Sequence, residues 1–199
     1  SKMEGTQSRY PSNLKENKPN QKVHICQKST EQGHFVLGGK GPDAKHEDAF
    51  VLKILSVLCG GMMSSRMFLN VREAKGLCYY ISTSTDDFTD VGVISTRAGV
   101  DVNRIEEAIS GVLNEYKKLR EEKVSEAELE KAKNYLIGKM KLRLEDSEEL
   151  AHMIGKQALL YNEVLTIQDI EKKIREVSID DIQRISRMVF DPENLYISL

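Results

Sequence analysis

The amino-acid sequence predicts an α+β domain, a two-layer sandwich in which helices pack on one face of a mostly antiparallel sheet. Three observations lead to this prediction: paired strand-like segments come early, several segments with helical periodicity follow in series, and a short apolar segment ends the chain. Helices with an apolar stripe must bury it, so they are expected to cover one sheet face and leave the other for solvent or a partner. A chain of 199 residues can bury such a core without disulfides or metals.

The first part of the chain is predicted to contain an arm, two strands and a helix. The polar segment 1–21 has no periodicity and is interpreted as a linker or flexible arm, so that the folded domain is 22–199. Two short strands are predicted at 23–27 and 34–38, joined by a polar turn. Apolar residues at helical spacing then predict a helix over 44–59, which a pair of glycines ends.

A second, shorter helix is predicted over 64–75, with a serine as its N-cap. Gly76 follows at the position where a left-handed residue commonly ends a helix. Leu77 comes next and is placed to contact Val71, as such a helix end favours.

Two strands are predicted next, at 78–85 and 91–97, joined by an aspartate-rich turn. Alternation along the first strand places Tyr79 on the same face as Leu77 and Ile81. That face is apolar, so the pattern by itself favours a buried Tyr79.

The rest of the chain is predicted to be mostly helical, because N-cap residues repeatedly precede apolar residues at helical spacing. Ser125 with Glu128 has the pattern of a capping box. The other predicted helix starts are Asp101 or Asn103, Ser147, Thr166 with Asp169, and Ser178 with Asp181. A closing strand is predicted at 195–199.

Composition excludes several classes of function. The charge is nearly balanced, with 29 basic and 31 acidic residues, so the chain lacks the basic character of a nucleic-acid-binding protein. No apolar run approaches the roughly 18 residues of a membrane span. The 3 cysteines show neither a disulfide framework nor a zinc-binding spacing. A reducing compartment fits best, so we expect a cytoplasmic protein, or one of an organelle matrix if the source is eukaryotic.

The histidines do not form a recognisable metal site. None of the 4 histidines has a second histidine one helical turn away. His46-Glu47 begins like a His-Glu-x-x-His motif, but Phe50 occupies the position of the second ligand. We therefore expect no metal to be bound by this chain. Motifs of serine nucleophiles and of phosphate-binding loops are also missing from the sequence.

Arg72 and Tyr79 remain as candidate catalytic residues. A guanidinium and a phenolic hydroxyl can both donate hydrogen bonds to a carbonyl oxygen that gains negative charge during peptide hydrolysis. Two structural interpretations stay open, since a cation is favourable in the last turn of a helix and an aromatic ring is favourable in a core.

Arg72 and Tyr79 belong to a longer motif, Gly60-Gly61-x-x-Ser64-Ser65-Arg66-x-Phe68, followed by Val71-Arg72-Glu73-x-x-Gly76-Leu77-x-Tyr79. This motif resembles the C-terminal half of the zinc peptidases related to pitrilysin, insulin-degrading enzyme and the mitochondrial processing peptidase. The resemblance covers nearly the whole chain after the arm. One departure is Met62, where relatives often have a third glycine; a positive φ there would strain the loop.

The resemblance implies a half-clam domain of a metallohydrolase. In such enzymes the N-terminal half holds Zn²⁺ through two histidines and a glutamate, and another glutamate activates water. This chain would be the second half, supplying Arg72 and Tyr79 to position the substrate and stabilise the tetrahedral intermediate. Its partners would be the zinc-bearing half, on the same chain or a separate subunit, and a peptide or protein substrate.

Three further expectations follow from the resemblance. The whole assembly would be a zinc metalloendopeptidase, and this chain alone would be inactive. Its open sheet face would favour self-association when the other half is missing. Two alternatives remain, a non-catalytic structural or regulatory subunit of the same family and a peptide-binding module.

Overall fold

The computed structural model describes residues 21–28, 30–161 and 163–199, so the predicted arm 1–21 lies outside the described residues except for its last position. Among these described residues, five strands form one sheet in the order β1-β5-β2-β4-β3. They are β1 (Val23–His24), β2 (Gly33–Gly41), β3 (Cys78–Asp87), β4 (Gly92–Val100) and β5 (Leu195–Ser198). All pairs are antiparallel except β1 with β5.

In the part of the chain that the structure describes, six α-helices accompany this sheet. They are α1 (Ala49–Ser56), α2 (Ile105–Glu121), α3 (Glu126–Arg143), α4 (Ser147–Leu160), α5 (Ile167–Glu176) and α6 (Ile179–Val189). Two π-helical segments, Val57–Gly61 and Phe68–Glu73, lie between α1 and β3. No helix in the described ranges is long and apolar enough to cross a membrane.

Within the described residues, helices cover one face of the sheet and leave the other open, as the sequence predicts. Phe35, Ile81 and Ala98 lie side by side on the covered face and are almost fully buried. Helices α1, α2 and α6 contact the sheet on that side. The open face carries exposed side chains such as Val36 and Tyr80. The α+β two-layer prediction is therefore confirmed.

Several predicted boundaries differ from the observed ones. The helix predicted over 44–59 begins only at Ala49, because the preceding residues form turns around Asp43. The first strand is shorter than predicted: only Val23 and His24 are paired with β5, although the chain stays close enough for Cys26 to donate a backbone hydrogen bond to Leu199.

The helix starts predicted from N-cap residues agree better with the structure than the element boundaries do. Thr166 and Ser178 each form a complete capping box with the aspartate three residues later. Ser125 caps α3, accepting a hydrogen bond from the Glu128 backbone. The Glu128 carboxylate binds Arg66 instead of completing the box, so that prediction was half correct.

Candidate functional site

Arg72 lies in the π-helical segment Phe68–Glu73, which comes shortly after the glycine-serine stretch 60–65. The turns of a π-helix are wider than those of an α-helix. The Ala74 N–H bonds to the Leu69 carbonyl five residues earlier, at 2.9 Å. The Arg72 guanidinium carbon lies 4.8 Å from the centre of the Phe68 ring, and its side chain is 37% exposed. This cation–π contact limits the motion of the guanidinium and leaves it accessible to a ligand.

The helical segment ends at Gly76, as predicted. Gly76 has a φ of +57°, and its N–H bonds to the Arg72 carbonyl at 2.9 Å. The Gly76 bond is the one that defines an αL helix end, and the Leu77 N–H adds a bond to the Val71 carbonyl at 3.3 Å. Val71 and Leu77 also pack beside the same residue, Gly111. This helix end turns the chain from the helix of Arg72 directly into β3.

Tyr79 occupies a β-bulge at the start of β3. Cys78 pairs with Val100 and Tyr80 with the adjacent Gly99, so Tyr79 is the extra residue. The bulge interrupts the alternation of side chains. Cys78 and Ile81 are buried, whereas Tyr79 and Tyr80 are 58% and 45% exposed. The interpretation of Tyr79 as a core residue was therefore wrong, because it assumed unbroken alternation.

Tyr80 is held on the open face by His34. Its hydroxyl lies 3.2 Å from His34 Nδ1, and the two rings stack with centres 6.1 Å apart. Between them is Gly99, where an added Cβ would lie 2.4 Å from a Tyr80 ring carbon. This arrangement fixes the residue next to Tyr79. The sequence analysis did not predict the contact between His34 and Tyr80. The available signal was Gly99, because a glycine within a strand often marks a place where another group packs close to the backbone.

The helical turn just before the π-helical segment is anchored to α3. Arg66 donates two hydrogen bonds to the Glu128 carboxylate, at 2.7 and 2.9 Å. The hydrogen bond that Arg66 donates to Glu128 is the main reason that the pKa of Arg66 is raised. Met62 has a φ of −139°, an extended conformation, so the missing glycine causes no strain.

Gly60 brings the other π-helical segment against β3. A Cβ at Gly60 would lie 2.4 Å from Thr83 Oγ1. Thr83 hydrogen-bonds Thr96 at 2.7 Å, and Thr96 hydrogen-bonds Tyr116 at 2.6 Å. Tyr116 donates to the Leu37 carbonyl at 3.2 Å, so this buried chain joins β3, β4, α2 and β2. The close packing at Gly60 therefore places the π-helical segment Val57–Gly61 directly against this buried hydrogen-bonded chain.

The two described cysteines near the site are not activated nucleophiles. Burial raises the pKa of Cys78 to about 11, and burial also raises the pKa of Cys59. In the part of the chain that the structure describes, no three His, Cys, Asp or Glu side chains come together in a group that could hold a metal ion. The described residues therefore do not fit a zinc site.

Comparison with known proteins places the chain in a domain family of peptidases. Residues 2–136 match the family model described as the peptidase M16 inactive domain. An uncharacterised zinc protease of Streptomyces coelicolor is 31% identical over 84% of this chain and 37% of its own length. An uncharacterised zinc protease of Bacillus subtilis is 30% identical over 82% of this chain and 40% of its own length. The chain thus spans less than half the length of these relatives.

Solved structures agree on the fold. A protease from Helicobacter pylori has a TM-score of 0.81 at 22% identity, over 88% of this chain and 42% of that one. A peptidase M16 inactive domain from Pseudomonas fluorescens has a TM-score of 0.79 at 17% identity, with the same two coverages of 88% and 42%. The resemblance first seen in segment 60–79 is confirmed, and the chain belongs to the peptidase M16 inactive-domain family.

Proposed function

We propose that this chain is the arginine- and tyrosine-bearing half of a zinc-dependent endopeptidase, completing an active site whose zinc lies in another half. The observation that carries the proposal is the bulge that exposes Tyr79, seven residues after Arg72 and shortly after the αL helix end at Gly76. Two observations on the relatives support the proposal. They are named zinc proteases, and this chain spans less than half of their length, which leaves room for a second half.

Arg72 and Tyr79 would act on the substrate backbone. Both side chains are hydrogen-bond donors, and the substrate carbonyl oxygen gains negative charge as the tetrahedral intermediate forms. The Arg72 guanidinium offers a charge-assisted bond, and Phe68 beneath it restricts its orientation. The αL helix end and the bulge hold both residues through backbone geometry, so little reorganisation would be needed during reaction.

Zinc would be supplied from outside the described residues, which do not fit a metal site. The partner would therefore be a zinc-bearing half, on the same polypeptide or another, and the substrate a peptide or protein. We expect the chain alone to be inactive and prone to self-association through its open sheet face. A cytoplasmic or organelle-matrix location is proposed on the basis of cysteine usage alone.

A second candidate function is that of a non-catalytic subunit of the same family. The description of the matching family model as an inactive domain favours it. In such a protein the same surface would hold a partner half without taking part in peptide cleavage.

Reconstitution distinguishes the two functions. The chain is combined with the zinc-bearing half of its own protein, and cleavage of a fluorogenic peptide library is measured for each half and for the mixture. Cleavage by the mixture alone supports the endopeptidase half. Zinc bound stoichiometrically by this chain alone, or a mixture that forms a stable complex but cleaves nothing, would contradict the proposal.

A further inference from the structure

The open face of the sheet carries a groove above β2 and its neighbours β1, β5 and β4. The groove has a volume of about 810 Å³. Sites of small ligands usually measure about 300–1,000 Å³, so the size is suitable. The described residues that line the groove come from these four strands and from the segment just before β1, and none of them belongs to β3, the strand of Tyr79. The groove is therefore distinct from the candidate catalytic site.

Gly38 forms the floor of this groove. It lies two residues after the exposed Val36 and so faces the open side of the sheet. A Cβ at Gly38 would lie 2.3 Å from the Ile94 carbonyl oxygen, so the close approach of β4 excludes any side chain here. Tyr196 on β5 and Ser95 on β4 pair directly with Gly38 and face the same side. The missing side chain leaves a depression between them.

The hydroxyl group beside this depression is buried and unsatisfied. Ser95 is only 5% exposed, and its Oγ has no hydrogen-bond partner among the described residues. Buried hydroxyls are normally hydrogen-bonded, because an unsatisfied one has lost its bonds to water without replacing them. Ser84 pairs with Ser95 from the other side, but its side chain is exposed to solvent. Ser95 therefore offers the groove a polar group that a ligand could satisfy.

The lining combines apolar walls with a basic rim. The apolar side chains are those of Val23, Val36, Val93 and Tyr196, and the basic ones are those of Lys22, His24 and Lys40. Among the described residues that line the groove, none is acidic. Lys40 pairs with Val93 and is thus the diagonal neighbour of Ser95, a distance that a long side chain can span. This composition favours a ligand with an anionic group and an apolar body.

We propose that this groove binds a small organic acid, with its carboxylate between Ser95 and Lys40 and its apolar body over Gly38. The carboxylate would accept the hydrogen bond that the Ser95 hydroxyl does not make within the described residues, and hydrogen bonds to charged acceptors are the stronger ones. The ammonium group would balance the charge, and the body would remove apolar surface from water. This inference goes beyond the proposed function and requires no peptide cleavage.

Octanoate is the probe, and it is titrated into the ¹⁵N-labelled 199-residue chain. Octanamide supplies the same body without the charge, and acetate supplies the charge without the body. We expect octanoate to shift the amide signals of 36–40, 93–95 and 196–198, and each control to bind at least about tenfold more weakly. Binding of octanamide or of acetate as tight as that of octanoate would overturn the inference.

Serine variants provide the matched comparison. Ser95→Ala should weaken octanoate binding about tenfold, whereas Ser84→Ala, the same change on the neighbouring strand, should leave it unaltered. Ser95→Ala should also melt no lower than the parent chain, because it removes a buried hydroxyl that has no partner. Unchanged octanoate binding in Ser95→Ala would overturn the inference. A large loss of stability would do the same, because the hydroxyl would then have a partner within the chain.

A variant of the rim separates charge from shape. Lys40→Gln should weaken the binding of octanoate and leave that of octanamide unaltered, since only the acid carries a charge. Lys139→Gln, on an exposed part of α3, is the control and should change neither. Circular dichroism should show that both variants keep the fold. An equal loss of octanoate and octanamide binding in Lys40→Gln would overturn the placement of the carboxylate.

Other occupants of the groove give different results. N-acetyl-leucine presents its carboxylate beside an amide, as the C-terminus of a peptide does, so tighter binding of it than of octanoate would replace the small acid with a peptide end. If a second copy of this chain fills the groove, Ser95→Ala would alter dimerisation and octanoate would not bind, which would also overturn the inference. Failure of the catalytic roles of Arg72 and Tyr79 is separable, because it would alter cleavage while octanoate binding remains.

Discussion

Arg66 and Glu128 are joined by a two-point ion pair, in which Nε and Nη2 of the arginine lie 2.7 and 2.9 Å from the two carboxylate oxygens. The arginine lies in the helical turn that leads directly into the π-helical segment of Arg72, and the glutamate lies in the first turn of α3. Their side chains are only 16% and 28% exposed. This pair therefore connects the site to the helical layer.

Loss of one member of this pair should destabilise the domain. In Glu128→Ala the Arg66 guanidinium would stay partly buried without its carboxylate, so we expect the free energy of unfolding to fall by about 1–3 kcal/mol. Lys123→Ala is the control, since Lys123 and its partner Asp180 are 59% and 78% exposed and such pairs contribute about 0–1 kcal/mol. Urea unfolding of both variants measures the difference. Equal effects would mean that Arg66 is adequately solvated without Glu128.

Gly76 should be required because it can adopt a positive φ, and not because a larger side chain would clash there. Its φ is +57°, and a Cβ there would meet nothing within 4 Å. Gly76→Ala is expected to cost about 1 kcal/mol, and Gly76→Asn less, because asparagine tolerates the left-handed region. Gly138→Ala is a matched control within α3, also with nothing within 4 Å, and should stabilise by about 0.5–1 kcal/mol. Melting curves of the three variants test the contrast in sign.

The features that could be predicted from sequence are those decided by neighbouring residues. The capping boxes of α5 and α6 and the left-handed Gly76 each depend on a few adjacent positions. The bulge at Tyr79 depends on how β3 pairs with β4, and the Glu128 carboxylate is drawn to Arg66, 62 positions away. Such contacts exist only after the layers have packed, so local patterns could not reveal them.

A buried carboxylate should make stability depend on pH. Asp48 is 5% exposed and receives hydrogen bonds from Arg184 at 2.8 and 2.6 Å. The hydrogen bond with Arg184 is the main reason that the pKa of Asp48 is lowered from 3.8, although burial opposes it. Because the folded pKa is the lower one, the stabilisation is complete above the unfolded pKa and is lost as pH falls through the folded pKa.

Asp48→Asn should therefore reduce the free energy of unfolding at neutral pH by about 1–3 kcal/mol, and the difference should shrink in acid. The measurement is urea unfolding at neutral pH and at several values below the ordinary aspartate pKa. Asp90→Asn, in the exposed turn after β3, is the control and should change little at any pH. If the loss of unfolding free energy in Asp48→Asn stays constant into strong acid, the missing ion pair with Arg184 is not its cause.

The catalytic roles of Arg72 and Tyr79 are tested in the assembly with the zinc-bearing half. Tyr79→Phe removes only the hydroxyl from a ring that is 58% exposed, so stability should change by no more than about 0.5 kcal/mol. If that hydroxyl stabilises the intermediate, kcat should fall by about 10²–10³ with a smaller change in KM. Arg72→Lys keeps the charge but loses the planar donor group and should also lower kcat.

The double variant and two distant controls complete the test. If both donors serve one oxyanion, the loss of kcat in the double variant should be much less than the product of the single losses, because each single change already removes the shared interaction. Tyr135→Phe on α3 and Arg143→Lys at its end make the same chemical changes on exposed surface and should leave kcat unaltered. Thermal melts accompany the steady-state kinetics. A normal kcat in Tyr79→Phe together with a large loss of stability would mean that the phenol supports the fold, and the catalytic assignment would then be withdrawn.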